Sequence, residues 1–118
     1  MEGRQMDVIN EHDQEFRNGD HGPKYMFKGP KFEWGIIVVK AGDTMSGHYH
    51  EEVEETFYFT DGTPQFIVDG VATRVKPGDA FRLDAGEKHM IVNDADTDTR
   101  CVFIKVPFLP DDKVACEM

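Results

Sequence analysis

Apolar and polar residues alternate in short runs along most of the chain, and turn-forming residues separate the runs. In Thr56-Phe57-Tyr58-Phe59-Thr60, the two phenylalanines fall on one face and Tyr58 on the other, the period of a half-buried strand. Thr99 to Val106 repeats the pattern, with Val102, Ile104 and Val106 on one face and Cys101, Phe103 and Lys105 on the other. Glu33 to Lys40 differs. Its unbroken run Ile36-Ile37-Val38-Val39 predicts cover on both faces. One cover is the protein interior; the other is a second subunit or a flanking N-terminal segment. Shorter strands are predicted at Tyr25 to Lys28, Gln65 to Val68, Ala72 to Lys76, Ala80 to Leu83 and His89 to Asn93. Asp61-Gly62, Asp69-Gly70, Pro77-Gly78-Asp79 and Ala85-Gly86 punctuate them as turns. Met6 to Phe16 leaves helix and extended chain both open. Many short strands, regular turns and little helix predict an all-β sandwich or barrel.

With 118 residues the chain is sized for one domain with one modest core. The expected organisation is an N-terminal segment, residues 1–30, packing on a barrel of residues 31–110, followed by a polar C-terminal tail, residues 111–118. There are 13 Lys plus Arg against 23 Asp plus Glu, a formal charge of −10. Such a surface repels phosphate backbones and anionic lipid, so neither nucleic acid nor a membrane is an expected partner. No apolar run approaches the ~20 residues of a membrane span, and no signal-peptide pattern is visible. A cytoplasmic protein is the expectation. Cys101 and Cys116 lack metal-ribbon spacing and are expected as free thiols.

The candidate chemistry sits in two stretches. His48 and His50 lie two apart, so on a strand both point the same way. Glu55 follows an acidic run and leads into the Phe57–Phe59 strand. His89 opens another apolar strand downstream. Three imidazoles and a carboxylate suit a transition metal; the plain alternative is a hydrogen-bonded polar cluster. Glu54 competes with Glu55 for the carboxylate position, but Glu55 shares the parity of Phe57 and Phe59. Asp94-Ala95-Asp96-Thr97-Asp98 imitates the start of a calcium loop, yet its sixth position is not glycine and its twelfth is Lys105, so a solvated acidic turn is expected. His12 and His21, in the N-terminal segment, are expected as solvated loop residues.

These two stretches resemble the two motifs of the cupin superfamily. Gly42, five residues, His48-x-His50, four residues, Glu55, six residues and Gly62 match the first. Gly78, five residues, a turn position, one residue, Gly86, two residues, His89, three residues and Asn93 match the second. The turn position is usually proline and here is Asp84. The spacer Thr63 to Pro77 has the short length of small microbial cupins. The resemblance implies a double-sheet jelly-roll barrel. It implies one divalent transition metal ion, Fe, Mn, Zn or Ni, held by His48, His50, Glu55 and His89. It also implies a homodimer and a small-molecule ligand or substrate.

Among such relatives are dioxygenases, decarboxylases, isomerases and lyases, alongside non-catalytic sugar- and small-molecule-binding cupins. Four protein ligands leave open positions, which favours chemistry or ligand capture over a closed structural site. Tyr25, Lys40, Tyr58, Gln65 and Arg82 are the polar side chains expected nearest the site. No lysine or arginine stands out as inward-facing, which weakens a decarboxylase acting on a small diacid. Phe57, Phe59, Phe66, Phe81 and Phe103 are expected in the core, where they also wall an apolar pocket.

Overall fold

The computed structural model describes residues 6–117; the ends of the expected N-terminal segment and C-terminal tail lie outside them. Ten strands follow in chain order. They are β1 Gly22–Lys28, β2 Glu33–Val39, β3 Thr44–Tyr49, β4 Glu54–Asp61 and β5 Gln65–Val68, then β6 Val71–Arg74, β7 Ala80–Leu83, β8 His89–Val92, β9 Thr99–Val106 and β10 Val114–Ala115. They form two five-stranded antiparallel sheets. One runs β1-β2-β9-β4-β7 and the other β10-β3-β8-β5-β6. The inner faces pack on each other as a jelly-roll barrel; the alternation predicts a sandwich or barrel, and the cupin resemblance implies the jelly roll. Among the described residues before β1 there are a 3-10 turn, Glu11–Asp13, and an isolated bridge between Phe16 and Gly19. No helix among the described residues is long and apolar enough to cross a membrane.

Parity decides what enters the barrel. Phe57 pairs with both Phe81 and Phe103, and Phe59 with Cys101, so every row of the first sheet has an inner face set by β4. Phe57, Phe59, Phe66, Leu83, Ile91, Cys101 and Phe103 are all buried. Phe66 lies at the centre of an aromatic cluster, with ring centroids 5.1 Å from Phe57, 5.7 Å from Phe59 and 5.0 Å from Phe81. These edge-to-face contacts set the electropositive rim of one ring on the electron-rich face of the next.

Two glycines are fixed by close approach. A Cβ at Gly35 would fall 2.1 Å from the Lys24 carbonyl oxygen and 2.9 Å from the Phe103 ring. Gly62 has φ +92°, and a Cβ there would fall 2.8 Å from both Asp98 O and Thr99 Cα.

The outer face of β2 gains its cover within the chain. Lys24, Ile36 and Val102 form one outward row. Glu11 binds Lys24 Nζ at 3.0 Å through both its carbonyl and its carboxylate, and that carboxylate also pairs with Arg100. The Phe16 ring lies 4.1 Å from the same ammonium. The N-terminal segment therefore lies over this row, and Ile36 is buried. β1 begins three residues earlier than the alternation predicts and carries a bulge between Tyr25 and Phe27. The last residues form more than a polar extension: β10 pairs with β3, Val114 opposite Tyr49 and Ala115 opposite His48.

Candidate metal centre

The two sheets bring the four predicted residues together. His48 on β3 and His89 on β8 are register partners on one sheet. Glu55 projects from β4 on the other, and His50 comes from the turn after β3. All four are buried, and one donor atom from each lies within 4.8 Å of the others. His50 Nε2 is 2.9 Å from Glu55 Oε1, and His89 Nε2 is 3.2 Å from the same oxygen. Glu54 takes the opposite parity, is half-buried and faces Arg82 at 4.0 Å, so Glu55 is the carboxylate in the cluster.

Backbone carbonyls set the orientation of each ring. His48 Nδ1 faces Ser46 O at 3.2 Å, His89 Nδ1 faces Glu87 O at 3.0 Å, and His50 Nδ1 faces Asp112 O. Each carbonyl can only accept, so each Nδ1 carries a proton, and in the neutral ring each Nε2 has a lone pair to offer a metal. Three lone pairs and a carboxylate then converge on one point. His89 Nε2 is buried without a hydrogen-bond partner. An orphaned acceptor at that depth costs about 1–3 kcal/mol unless something binds it. The donor set and the orphaned nitrogen fit a divalent transition metal ion.

The electrostatics of the ion-free cluster differ from ring to ring. Burial, reinforced by His89, pushes His48 down to about 3, which keeps the ring neutral. Burial alone would raise Glu55, but the His50 and His89 imidazoles beside its carboxylate outweigh it and hold the carboxyl at about 2. Burial lowers His50, yet its bonds to Glu55 and Asp112 leave it above the usual value.

The loops around the cluster show why the motif positions matter. Asn93 is fully buried; its amide donates to Val39 O and Thr97 O, each at 2.9 Å. It ties the end of β8 to β2 and to the turn before β9. At Asp84, where proline is usual, the backbone N–H donates to Glu87 at 2.7 Å. Proline has no N–H to give, so a hydrogen bond here supplies the stiffness that the ring would have supplied. Gly86 N donates to His50 O, linking this turn to the cluster.

A cavity of about 400 Å³ opens onto His48 and Glu55. Tyr25 and Lys40 line it, as the sequence suggests, and so does His21. Gln65 does not; it binds Asp94 at 3.0 Å. Tyr58 and Arg82 are exposed on the outer face of β4 and β7. The expectation that no cation faces inward is corrected. Lys105 pairs in register with Glu55 and lines the cavity, with its Nζ 3.0 Å from Tyr25 Oη and 3.4 Å from Glu33. Its parity with Cys101 and Phe103 carried that signal.

Asp112 carried no comparable signal. Its carboxylate accepts the backbone N–H groups of Glu51, Glu52 and Val53 at 2.7, 2.8 and 3.0 Å. Burial would raise Asp112, but those three amides hold it below the usual carboxylate range. The Asp94 turn is held by ion pairing: Arg74 grips Asp94 at 2.6 and 3.0 Å. Cys101 and Cys116 are free thiols, and Cys101, fully buried, is pushed far up by burial.

A double-sheet β barrel with three inward imidazoles and one inward carboxylate defines the class of protein. Residues 35–105 match the Cupin domain family, and the chain belongs to it. It is 32% identical over 76 residues to Protein SchB of Streptomyces halstedii, covering 64% of this chain and 55% of that protein. It is 35% identical over 78 residues to the quercetin 2,3-dioxygenase of Bacillus subtilis, covering 63% of this chain and 23% of that protein. Among solved structures, the polyketide cyclase RemF of Streptomyces resistomycificus superposes with a TM-score of 0.78 at 17% identity, covering 97% of this chain and 87% of that one. The chain spans about half the length of the first curated relatives it matches.

Proposed function

We propose that this protein is a mononuclear divalent-metal cupin acting as an enzyme on a small oxygenated molecule, with His48, His50, Glu55 and His89 as the ligands. The observation that carries this reading is the buried convergence of three imidazoles and one carboxylate, two members of which, His48 and Glu55, line a cavity. A closed structural site would have no such access. A bound divalent ion supplies Lewis-acid polarisation of a carbonyl or a lowered pKa for water. The chain's own residues do the rest. The three carbonyl-anchored rings hold the donors in place, and the aromatic cluster keeps water from one side. Tyr25 and Lys105 present a hydroxyl and a cation on the first sheet's inner face. The matched dioxygenase and cyclase bear enzymatic names, which supports catalysis over simple capture.

Elemental analysis of untagged protein purified without chelator tests the reading. About one transition-metal ion per chain is expected. Iron would direct the substrate search to oxygen chemistry, and manganese, nickel or zinc to isomerases and lyases. No metal, even after reconstitution with all four ions, would move the assignment to a non-catalytic binding cupin. A homodimer fits the same reading. Tyr58, Ile104 and Val106 are exposed apolar residues on the outer face of the first sheet, and light scattering decides it.

A further inference from the structure

The charge around the cavity runs opposite to the charge of the chain. Acidic residues outnumber basic ones 23 to 13 overall. The cavity wall instead carries Arg17, Lys40, Lys105 and Lys113 against Asp43 and Glu55. Glu55 is already committed to the imidazole cluster. Lys40 is paired with Asp20 and Asp98 at 3.2 and 3.5 Å, and Lys105 with Glu33. Arg17 and Lys113, like Lys28, Lys31 and Lys88, have no carboxylate partner among the described residues, but of these five only Arg17 and Lys113 line the cavity.

Unpaired cations elsewhere on the surface, at Lys28, Lys31 and Lys88, are scattered, whereas Arg17 and Lys113 meet at one cavity that Lys40 and Lys105 also line. They come from opposite ends of the sequence. Arg17 is held by its N–H bond to Pro23 O at 2.9 Å, and Lys113 by the chain between Asp112 and β10. They are also close enough to work against each other: burial lowers Lys113, and Arg17 and Lys105 lower it further. Repulsion of this kind is relieved when an anion settles between the charges.

Resting on the reading of the cavity as the substrate site, we propose that its rim is an anion subsite. The substrate is then a small organic acid, with a carboxylate held by Arg17 and Lys113 and with Lys105 deeper in the same field. Its other end reaches the donor cluster at His48 and Glu55. Arg17 supplies a planar fork that matches a carboxylate, and Lys113 adds a point charge. The cavity of about 400 Å³ is roomy enough for a small organic acid. A diacid fits the inward cation that the sequence seemed to lack.

Succinate and its neutral diamide, succinamide, test the subsite by NMR titration of the whole chain, both after chelation and after zinc loading. The wild-type protein should bind succinate at least tenfold more tightly than succinamide in both forms, with the preference shrinking as salt screens it. The double variant Arg17→Gln/Lys113→Gln should lose that preference and keep its melting temperature, since both side chains are exposed and unpaired. A control pair outside the cavity, Lys31→Gln/Lys88→Gln, changes the net charge equally and should keep it. No preference in the wild-type chain would overturn the subsite, as would retention in the rim variant or equal loss in the control. The chelated form separates this result from the metal reading: a protein that takes up no metal can still show the rim's preference, and a metal-loaded one can lack it.

Discussion

Strand β4 passes through two chemically different halves of one interior. At Phe57 and Phe59 it enters a dry half, where both meet the Phe66 ring edge to face and are buried with Val75, Leu83 and Ile91. Two residues earlier, at Glu55, it enters a polar half, with three imidazoles, Lys105, Glu33 and a cavity. The same alternation builds both. The dry half is held by burial, which needs no partner beyond shape. In the polar half every group needs a specific acceptor or donor, and one nitrogen still lacks it. The dry half therefore contributes stability, and the polar half draws on it to hold its donors in place. The halves touch at His89, whose ring lies 5.6 Å from Phe57 and 6.2 Å from Phe66.

Paired substitutions across that boundary should separate the two. Phe57→Ala should cost about 3–5 kcal/mol, from lost burial plus the cavity left behind, out of a total stability of roughly 5–15 kcal/mol. Where it still folds, it should keep metal near one ion per chain. His50→Ala should do the reverse. It should cost the metal-free protein only about 1–2 kcal/mol through the hydrogen bonds lost to Glu55 and Asp112, and remove nearly all bound metal. Urea midpoints and elemental analysis on both variants check this. Retained stoichiometric metal in His50→Ala would sink the ligand assignment.

How much of this was legible in the sequence follows from the range of the signal. Alternation reports on the face of a strand, so β9 was readable end to end, and Glu55 could be preferred over Glu54 by its parity with Phe57. The histidine spacing, with Glu55 and His89, picked out the four side chains that the fold brings within reach of one another. Alternation says nothing of contacts that depend on one side chain reaching across the fold. Asp112 lies about 60 residues from the amides it binds, in a run that reads as a polar tail, and β10 is too short to carry a period. Lys24 reads as a strand-end cation, and only the docking of Glu11 explains why it is 4% exposed. Lys105 is the exception: parity placed it beside Phe103, but a lysine at the end of a strand is easily read as solvated.

Asp112→Ala should give an intermediate effect, because it touches the polar half only through the backbone. The carbonyl that accepts from His50 remains, but the carboxylate that fixes the Glu51–Val53 amides is lost. Removal of such outer support typically costs 10–100-fold in metal affinity, and loss of a cap of this kind costs about 1 kcal/mol of stability. Asp112→Asn should recover part of both, since it keeps an acceptor. Competition with a chelating dye measures the affinity. An Asp112→Ala protein with wild-type affinity would show that the C-terminal segment merely covers the site.

The smallest effect is expected outside both halves, where Glu11 ties the N-terminal segment to Arg100 and Lys24. The Arg100 hydrogen bond is the largest influence on its carboxyl and, with Lys24, holds it at about 2 against 4.5 for a free glutamate. A depressed folded-state value means the contribution is complete above pH 4.5 and is lost as pH falls toward 2. Glu11 and Arg100 are partly exposed, at 21% and 34%, so solvent screening leaves about 1 kcal/mol. Glu11→Gln should therefore lower the urea midpoint at pH 6 and converge on the wild-type curve near pH 2. At pH 6 it should leave metal content unchanged, because the N-terminal segment lies over the outer row of the sheet and the donors lie within. A Glu11→Gln protein that loses metal at pH 6 would show that this outer cover and the polar half act as one unit.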